Sequence, residues 1–394
     1  MSEIPHFAAL DESGRREFWA CLALRHCKGL GAFSRARLLR RFGSAFSALQ
    51  KGEQWEKAGL NRRQAAGIRS GAWRSAARAE WDGARRVNPR ILLWTDARYP
   101  QHLREVPDAP AFLYARGDGS LLASPAFAVV GSRQATPHGL TIAKYMAQSL
   151  SSCGIAIVSG MARGIDCVAH SAALERVGGS IGVLGTGIDR IYPESERRLF
   201  GQMEERGLLL SEFPPGTLPR PGHFPVRNRI ISGLALGVLV IEATNRSGSL
   251  ITARLALEQG REVYAVPGTA LDPHSEGCQN LIRQGARPVF DAEDVLRDLA
   301  PQLRSFGVDV PRDAEPPLCA PPPGPPAPQQ IAFSRGDGQD GKIVACLCGN
   351  GPMQADALAL ALAMPMQALN PLLVELEITG RIRRLPGARY EALA

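Results

Sequence analysis

No run of apolar residues in this 394-residue chain approaches the ~20 that a membrane-spanning helix needs, so no span is expected. The polar N-terminal stretch does not read as a secretory signal. Cysteine is thinly scattered: the eight residues form no C-x-x-C, and Cys346 and Cys348 have one residue between them. A reduced, cytoplasmic protein without structural zinc is the simplest reading. The seven histidines form no pair at metal-ligand spacing, so no metal site is expected. No G-x-G-x-x-G follows a strand, since Gly185-Thr-Gly187 lacks the third glycine, and there is no G-x-x-x-x-G-K-[ST]. Dinucleotide and ATP binding are both demoted, and no cofactor is expected. Catalytic groupings are equally sparse: no Ser or Cys sits in a nucleophile elbow, and an acid–base reading would rest on His170 and Glu242 alone. The chain is therefore not read as an enzyme.

Positive charge is present, but in one place. The formal net charge is +8, and residues 1–90 hold 18 Lys+Arg against 8 Asp+Glu, or +10. The remaining residues hold 28 against 30, or −2. A uniformly basic coat is excluded, so any polyanion bound by the rest of the chain must be held at a focused site.

The centre of the chain is Ser159 to Gly268. Its short β-branched runs, Ile155 to Val158, Ile181 to Leu184, Val238 to Ile241 and Val263 to Val266, read as buried parallel strands. Amphipathic segments such as Ser195 to Arg206 and Leu250 to Gln259 lie between them. Strand, Gly/Ser-rich turn, helix and strand in that order predict a doubly wound, mainly parallel α/β sheet. Four regions follow from the pattern: a helical module over 1–86, the α/β domain over 87–300, a Pro-rich linker over 301–340 and a winged helix over 341–394. In the first, Cys27-Lys-Gly-Leu-Gly31 and the arginines after it resemble a helix-hairpin-helix, with a weaker copy near Ala58-Gly-Leu-Asn61. That face reads either as a nucleic-acid contact or as a solvated basic packing module. In the last, the segment Met366 to Glu377 has no Lys or Arg, and protein contact or packing stands beside DNA contact through Arg381, Arg383 and Arg384.

The strand-end loops carry the chemistry. Gly131-Ser132-Arg133 offers turn amides, a hydroxyl and a guanidinium that can bind phosphate through two parallel hydrogen bonds. Ser159-Gly160 with Arg163-Gly164 repeats the arrangement, and Ser247-Gly248-Ser249 supplies a third nest. Three nests along one sheet edge suit several phosphates in a row. Arg227 and Asn228 stand near a helix start from which they reach a ligand, whereas Arg229 reads as an ion-pair partner of Glu212 or Glu242. Phe224 beside a proline is either core or a stacking surface for an unpaired base. Asp166 reads as a structural carboxylate bonded to loop amides or to Arg163, and His170 as packing on the helix behind it.

Taken in order, Val130-Gly-Ser-Arg133, Ser159-Gly-Met-Ala-Arg-Gly-Ile-Asp166, Gly185-Thr-Gly-Ile-Asp189, Tyr192-Pro193, Phe224-Pro-x-Arg-Asn-Arg-Ile-Ile231, Ser247-Gly-Ser-Leu-Ile-Thr252, Val266-Pro-Gly268 and Gly277-Cys-x-x-Leu-Ile282 resemble the DNA-processing protein A (DprA/Smf) family. The resemblance spans about Trp94 to Asp291. It implies an extended Rossmann-like domain that binds single-stranded DNA, protects it in natural transformation and helps load the RecA recombinase. It also implies a homodimer and no catalysis. By motif, the DNA-binding residues fall on Gly131, Ser132 and Arg133, on Ser159, Gly160, Arg163 and Gly164, and on Arg227, Asn228, Ser247, Gly248 and Ser249. Two positions depart from the family pattern: Pro221 stands where many members have Lys, and Glu194 where some do. The rival reading is a Rossmann-like nucleotide phosphoribohydrolase, whose Pro-Gly-Gly-x-Gly-Thr loop is here Asn245-Arg-Ser-Gly-Ser-Leu-Ile-Thr252.

Overall fold

A computed structural model describes residues 3–269, 271–308, 339–385 and 389–393. The chain divides into two compact units, Met1–Cys319 and Ala320–Ala394. Of the Pro-rich linker expected over 301–340, residues 309–338 lie outside the described residues, while 301–305 continue helix Ala292–Ser305.

The first unit is built on a nine-stranded sheet. Its strands are β1 (Arg90–Leu93), β2 (Phe112–Gly117), β3 (Ala126–Val130), β4 (Ala156–Ser159), β5 (Ser180–Leu184), β6 (Leu208–Ser211), β7 (Gly237–Val240), β8 (Glu262–Ala265) and β9 (Arg287–Pro288). They lie in the order β1-β2-β6-β5-β4-β3-β7-β8-β9. All pairings from β6 to β9 are parallel, while β1 and β2 add an antiparallel edge. The sequence patterning therefore located β4, β5, β7 and β8 to within a residue, while β6 and β9 were not among its runs. Every residue of β3 to β7 is buried, as expected for strands covered on both faces. Alternation divides them: Ala128 and Val130 face one core layer, and Phe127 and Val129 face the other. Helices Pro137–Ser152, Ile165–Ala173 and Ala292–Ser305 cover the second face.

Strand order reverses at β3. The chain builds outward through β4, β5 and β6, then crosses back through helix His223–Leu234 to place β7 on the other side of β3. Loops leaving β3 and β7 must diverge there, which opens a crevice at the carboxyl edge of the sheet.

The N-terminal helices, beginning with Glu12–His26 and ending with Arg74–Val87, pack on the β1–β2 edge through Phe18, Trp81 and Phe112. Beneath them Glu80 is buried, and its carboxylate accepts from Arg25 at 2.5 Å, His26 at 2.6 Å and Tyr114 at 2.7 Å. Burial alone would raise the Glu80 carboxyl; Arg25 and these hydrogen bonds hold it below its usual range.

The second unit holds helices Gln339–Asn350, Ala355–Ala361 and Met366–Ile378, with strands Met353–Gln354, Ile382–Leu385 and Arg389–Ala392 in one small sheet. Its own core gathers Ile343, Leu347, Leu358, Leu369, Leu373 and Ile382. Three helices followed by a hairpin form the winged helix that the spacing predicted. Among the described residues no single helix is long and apolar enough to cross a membrane.

Candidate functional site

The turn after β3 comes close to its neighbours. A Cβ at Gly131 would sit 2.6 Å from Cγ1 of Ile165, so this position must be glycine for the turn to lie on helix Ile165–Ala173, which follows β4. Arg133 follows as an exposed side chain, with its guanidinium carbon 5.2 Å from the centre of the Phe224 ring. Phe224 and Pro225 belong to the first turn of helix His223–Leu234, where a proline leaves no hydrogen bond unmade. The helix starts at His223, one turn ahead of Arg227, and that first turn carries Phe224 into the crevice. Tyr192 lies on the same ring, 5.6 Å between centroids.

After β4 the loop is held from inside. Asp166 Oδ2 accepts from the amides of Gly160 at 3.1 Å and Ala162 at 3.3 Å. His170 Nε2 accepts from the Met161 amide at 3.3 Å, and its Nδ1 lies 2.7 Å from the Ser180 hydroxyl. These bonds hold Met161 at φ 55°, a left-handed conformation that a non-glycine side chain adopts only when its surroundings fix it. Burial raises the Asp166 carboxyl, against the opposing pull of Arg227. Burial, and then Arg227, lower the His170 imidazole to about 3, so it is neutral. Asp166 is thus the structural carboxylate that the sequence suggested, bonded to amides.

After β7 comes Ser247-Gly248-Ser249 at the start of helix Ser249–Glu258. The Ser247 and Ser249 hydroxyls are 2.7 Å apart. A Cβ at Gly248 would meet nothing within 4 Å, so the backbone there faces open space. The loop is tied across the crevice: Glu242, just past β7, accepts from the Thr136 amide at 2.9 Å and its hydroxyl at 2.5 Å.

Between these turns lies a cleft of about 830 Å³, lined by Gly131 to Gln134, Arg220, Phe224 and Ser247 to Ser249 among others. A smaller cavity of about 340 Å³ lies beside it, lined by Gly160 to Arg163, Gly185 and Tyr192. Arg133 and Phe224 line both. All three predicted turns therefore meet at one edge of the sheet.

Three of the predicted ligand residues are spent on the fold. Ser159 is fully buried, and its hydroxyl donates to the Val129 carbonyl at 2.6 Å. Arg227 is 3% exposed; its Nη1 donates to the carbonyls of Gly160, at 2.6 Å, and Val183. Asn228 donates to the Gly248 carbonyl at 3.4 Å. The two helix residues line the cleft as its floor, because the helix is packed so tightly on the strand ends that their side chains meet backbone first. Burial lowers the Arg227 guanidinium to about 10 against the opposing pull of Asp166, and among the described residues no carboxylate lies within ion-pair distance of it. Gly164, at φ 80°, packs against the Ser132 carbonyl, and Arg163 beside it is exposed. Arg229 pairs with Glu212 at 2.5 Å and Asp108 at 3.2 Å rather than with Glu242. Sequence reasoning missed Tyr192 and Gln134 in the lining; the adjacent Tyr-Pro was the one signal for the former. Among the described residues no group of acidic, His or Cys side chains is arranged to hold a metal ion.

The family model described as DNA recombination-mediator protein A matches residues 90–300, and the model of the DprA winged helix domain matches 320–388. DNA processing protein DprA of Bacillus subtilis (strain 168) is 45% identical over 203 residues, covering 51% of this chain and 68% of the relative. Protein Smf of Escherichia coli (strain K12) is 40% identical over 294 residues, 73% of this chain and 74% of the relative. The X-ray structure of DNA processing protein A from Streptococcus pneumoniae matches with a TM-score of 0.63 at 37% identity, over 71% of this chain and 97% of that one. With one model covering more than half its length and a second covering the winged helix, the chain belongs to the DNA processing protein A (DprA/Smf) family.

Proposed function

We propose that the crevice at the ends of β3 and β7 binds single-stranded DNA by its phosphates. Gly131, Ser132, Arg133, Gly160, Arg163, Gly164, Ser247, Gly248 and Ser249 supply the amides, hydroxyls and charge, and Phe224 offers a ring to an unpaired base. The observation that carries this reading is convergence: turns from three strand ends open into adjoining cavities that share Arg133 and Phe224. A ring sunk between Arg133 and Tyr192 is reached by a base only when that base is free of its own stack. Arg227 and Asn228 serve the same ligand from below, by fixing the Gly160 and Gly248 turns.

A binding role is favoured over glycosidic hydrolysis. The two buried carboxylates nearest the crevice, Asp166 and Glu242, already accept from loop amides and a hydroxyl, so neither is held ready for a substrate. The description of the family as a recombination mediator supports protection of incoming DNA in natural transformation and delivery to a RecA-class recombinase. We assign the work to a cytoplasmic homodimer, with modules at 1–86 and 341–394 flanking the DNA-binding domain at 87–300.

The test is a salt titration of oligo-dT binding with wild type and Arg133→Ala, beside a duplex probe. Weaker single-strand binding and a shallower salt slope are expected for the variant; equal affinity would reject the reading. Release of free base from AMP or CMP above a protein-free blank would restore the hydrolase.

A further inference from the structure

The first 89 residues fall outside both matched family models and hold all of the excess positive charge. Their position relative to the crevice follows from the sheet. Because β2 runs antiparallel to β6, the Phe112 end of β2 lies at the carboxyl edge of β6, the edge that carries the crevice. Arg25, in the last turn of helix Glu12–His26, lies 4.0 Å above the Phe112 ring. Arg35, in the first turn of helix Ala32–Phe42, feels the charge of Glu212, the residue after β6. The hairpin Cys27–Gly31 joins these two anchors, so it lies at the same edge.

A second basic segment is fastened to that hairpin. Gln64 Nε2 donates to the Gly29 carbonyl at 3.0 Å and to the Ser34 hydroxyl at 3.3 Å, which sets the first turn of helix Arg62–Ser70 against it. Lys28, Arg62 and Arg63 are thereby gathered on one exposed corner, and none forms an ion pair among the described residues. The nearby acids are already neutralised, Glu80 by Arg25 and Glu212 by Arg229. On the opposite flank, residues 266–276 after β8 include Asp272 and Glu276 and no Lys or Arg. A polyanion leaving the crevice is drawn toward the hairpin and away from β8.

We propose that Lys28, Arg62 and Arg63 form a second phosphate-contacting station for the same DNA strand, passed as it leaves the crevice across the ends of β4, β5 and β6. Exposed Arg163 and Arg190 follow β4 and β5 along that path. Four strand spacings separate β2 from β3, about 19 Å at roughly 4.8 Å each. At roughly 3.4 Å per nucleotide, about six nucleotides bridge that distance. The proposal rests on the crevice being the primary site.

The experiment compares oligo-dT of about 4 nucleotides, too short to bridge the two stations, with oligo-dT of about 30 nucleotides on the full chain, with wild type, Arg133→Ala, and the triple variants Lys28→Glu/Arg62→Glu/Arg63→Glu and Lys28→Ala/Arg62→Ala/Arg63→Ala. Both triples are expected to bind the long probe at least tenfold more weakly, with a salt slope smaller by about 2 for three lost contacts at roughly 0.7 each. They are expected to match wild type on the short probe. Wild-type affinity of both triples for the long probe, while Arg133→Ala weakens it, would overturn the second station alone. Arg133→Ala with unchanged binding to both probes would instead remove the crevice reading. Equal loss on both probes for the alanine triple would show that the corner acts through the fold, and would also overturn the proposal.

Discussion

The guanidinium of Arg133 stands 5.2 Å above the centre of the Phe224 ring, and that pair divides two adjoining cavities. The ring fixes a side chain that would otherwise sample many rotamers, while leaving its outer N–H groups open to the cleft. Ordering is thus met before the ligand arrives. Arg133→Ala is expected to weaken single-strand binding by at least tenfold, the loss of a charge-assisted phosphate contact worth about 2 kcal/mol. Arg133→Lys keeps the charge but not the paired donors, and recovers only part of the affinity. Fluorescence anisotropy against salt reads both effects.

Two glycines separate folding from binding. A Cβ at Gly160 would lie 2.5 Å from the Arg227 guanidinium, so Gly160→Ala must displace a buried charge and is expected to cost about 1–3 kcal/mol of stability. Gly248→Ala meets open space and keeps a right-handed backbone, so thermal melting is expected to be unchanged. Its oligo-dT affinity is expected to fall nevertheless, because a methyl group there stands where a phosphate approaches. Unaltered binding by Gly248→Ala would place the DNA elsewhere.

The buried imidazole of His170 gives a pH signature. Its native value is lowered to about 3, whereas an unfolded histidine titrates near 6.5. As pH falls through that window the unfolded chain takes up the proton first, so wild type loses up to about 1.4 kcal/mol per pH unit from this group. Asp166 acts in the opposite sense, since burial raises its value and the folded state takes up that proton earlier. Denaturant melts of wild type and His170→Asn between pH 7 and pH 4 should show the stability gap narrowing on acidification; a constant gap would refute a neutral, buried His170.

Glu80 joins the N-terminal helices to the sheet. Glu80→Gln leaves Arg25 buried without its counter-charge, and a loss of about 3–5 kcal/mol is expected. Because Met1–Cys319 forms one compact unit, the N-terminal helices and the sheet are expected to melt together at the lower temperature. Calorimetry showing an unchanged transition would mean that Arg25 finds another acceptor.

The sheet was legible because its strands are buried on both faces and so appear as uninterrupted β-branched runs between glycine-rich turns. The three nests were legible for a related reason: a strand-to-helix turn that packs as closely as Gly131 against Ile165 tolerates no side chain, and that leaves a glycine in the sequence. What the pattern did not reveal was depth. Arg227 and Arg229 are two residues apart on one helix, but one turns to the carbonyls beneath the cleft and the other to Glu212. Only the packing of the whole helix decides between them. Ser159 shows the same limit, since a serine at the end of a buried strand and one in an open turn look alike in the sequence.

Glu242 bridges the two halves of the nine-stranded sheet at the place where they diverge, gripping Thr136 from the far side of the reversal. Jaws fastened in this way do not close on a guest. On the proposed reading the crevice stands at its working width before any encounter, so the loss of freedom on binding falls almost wholly on the DNA. Chains already held extended should then seat faster than coiled ones of the same length.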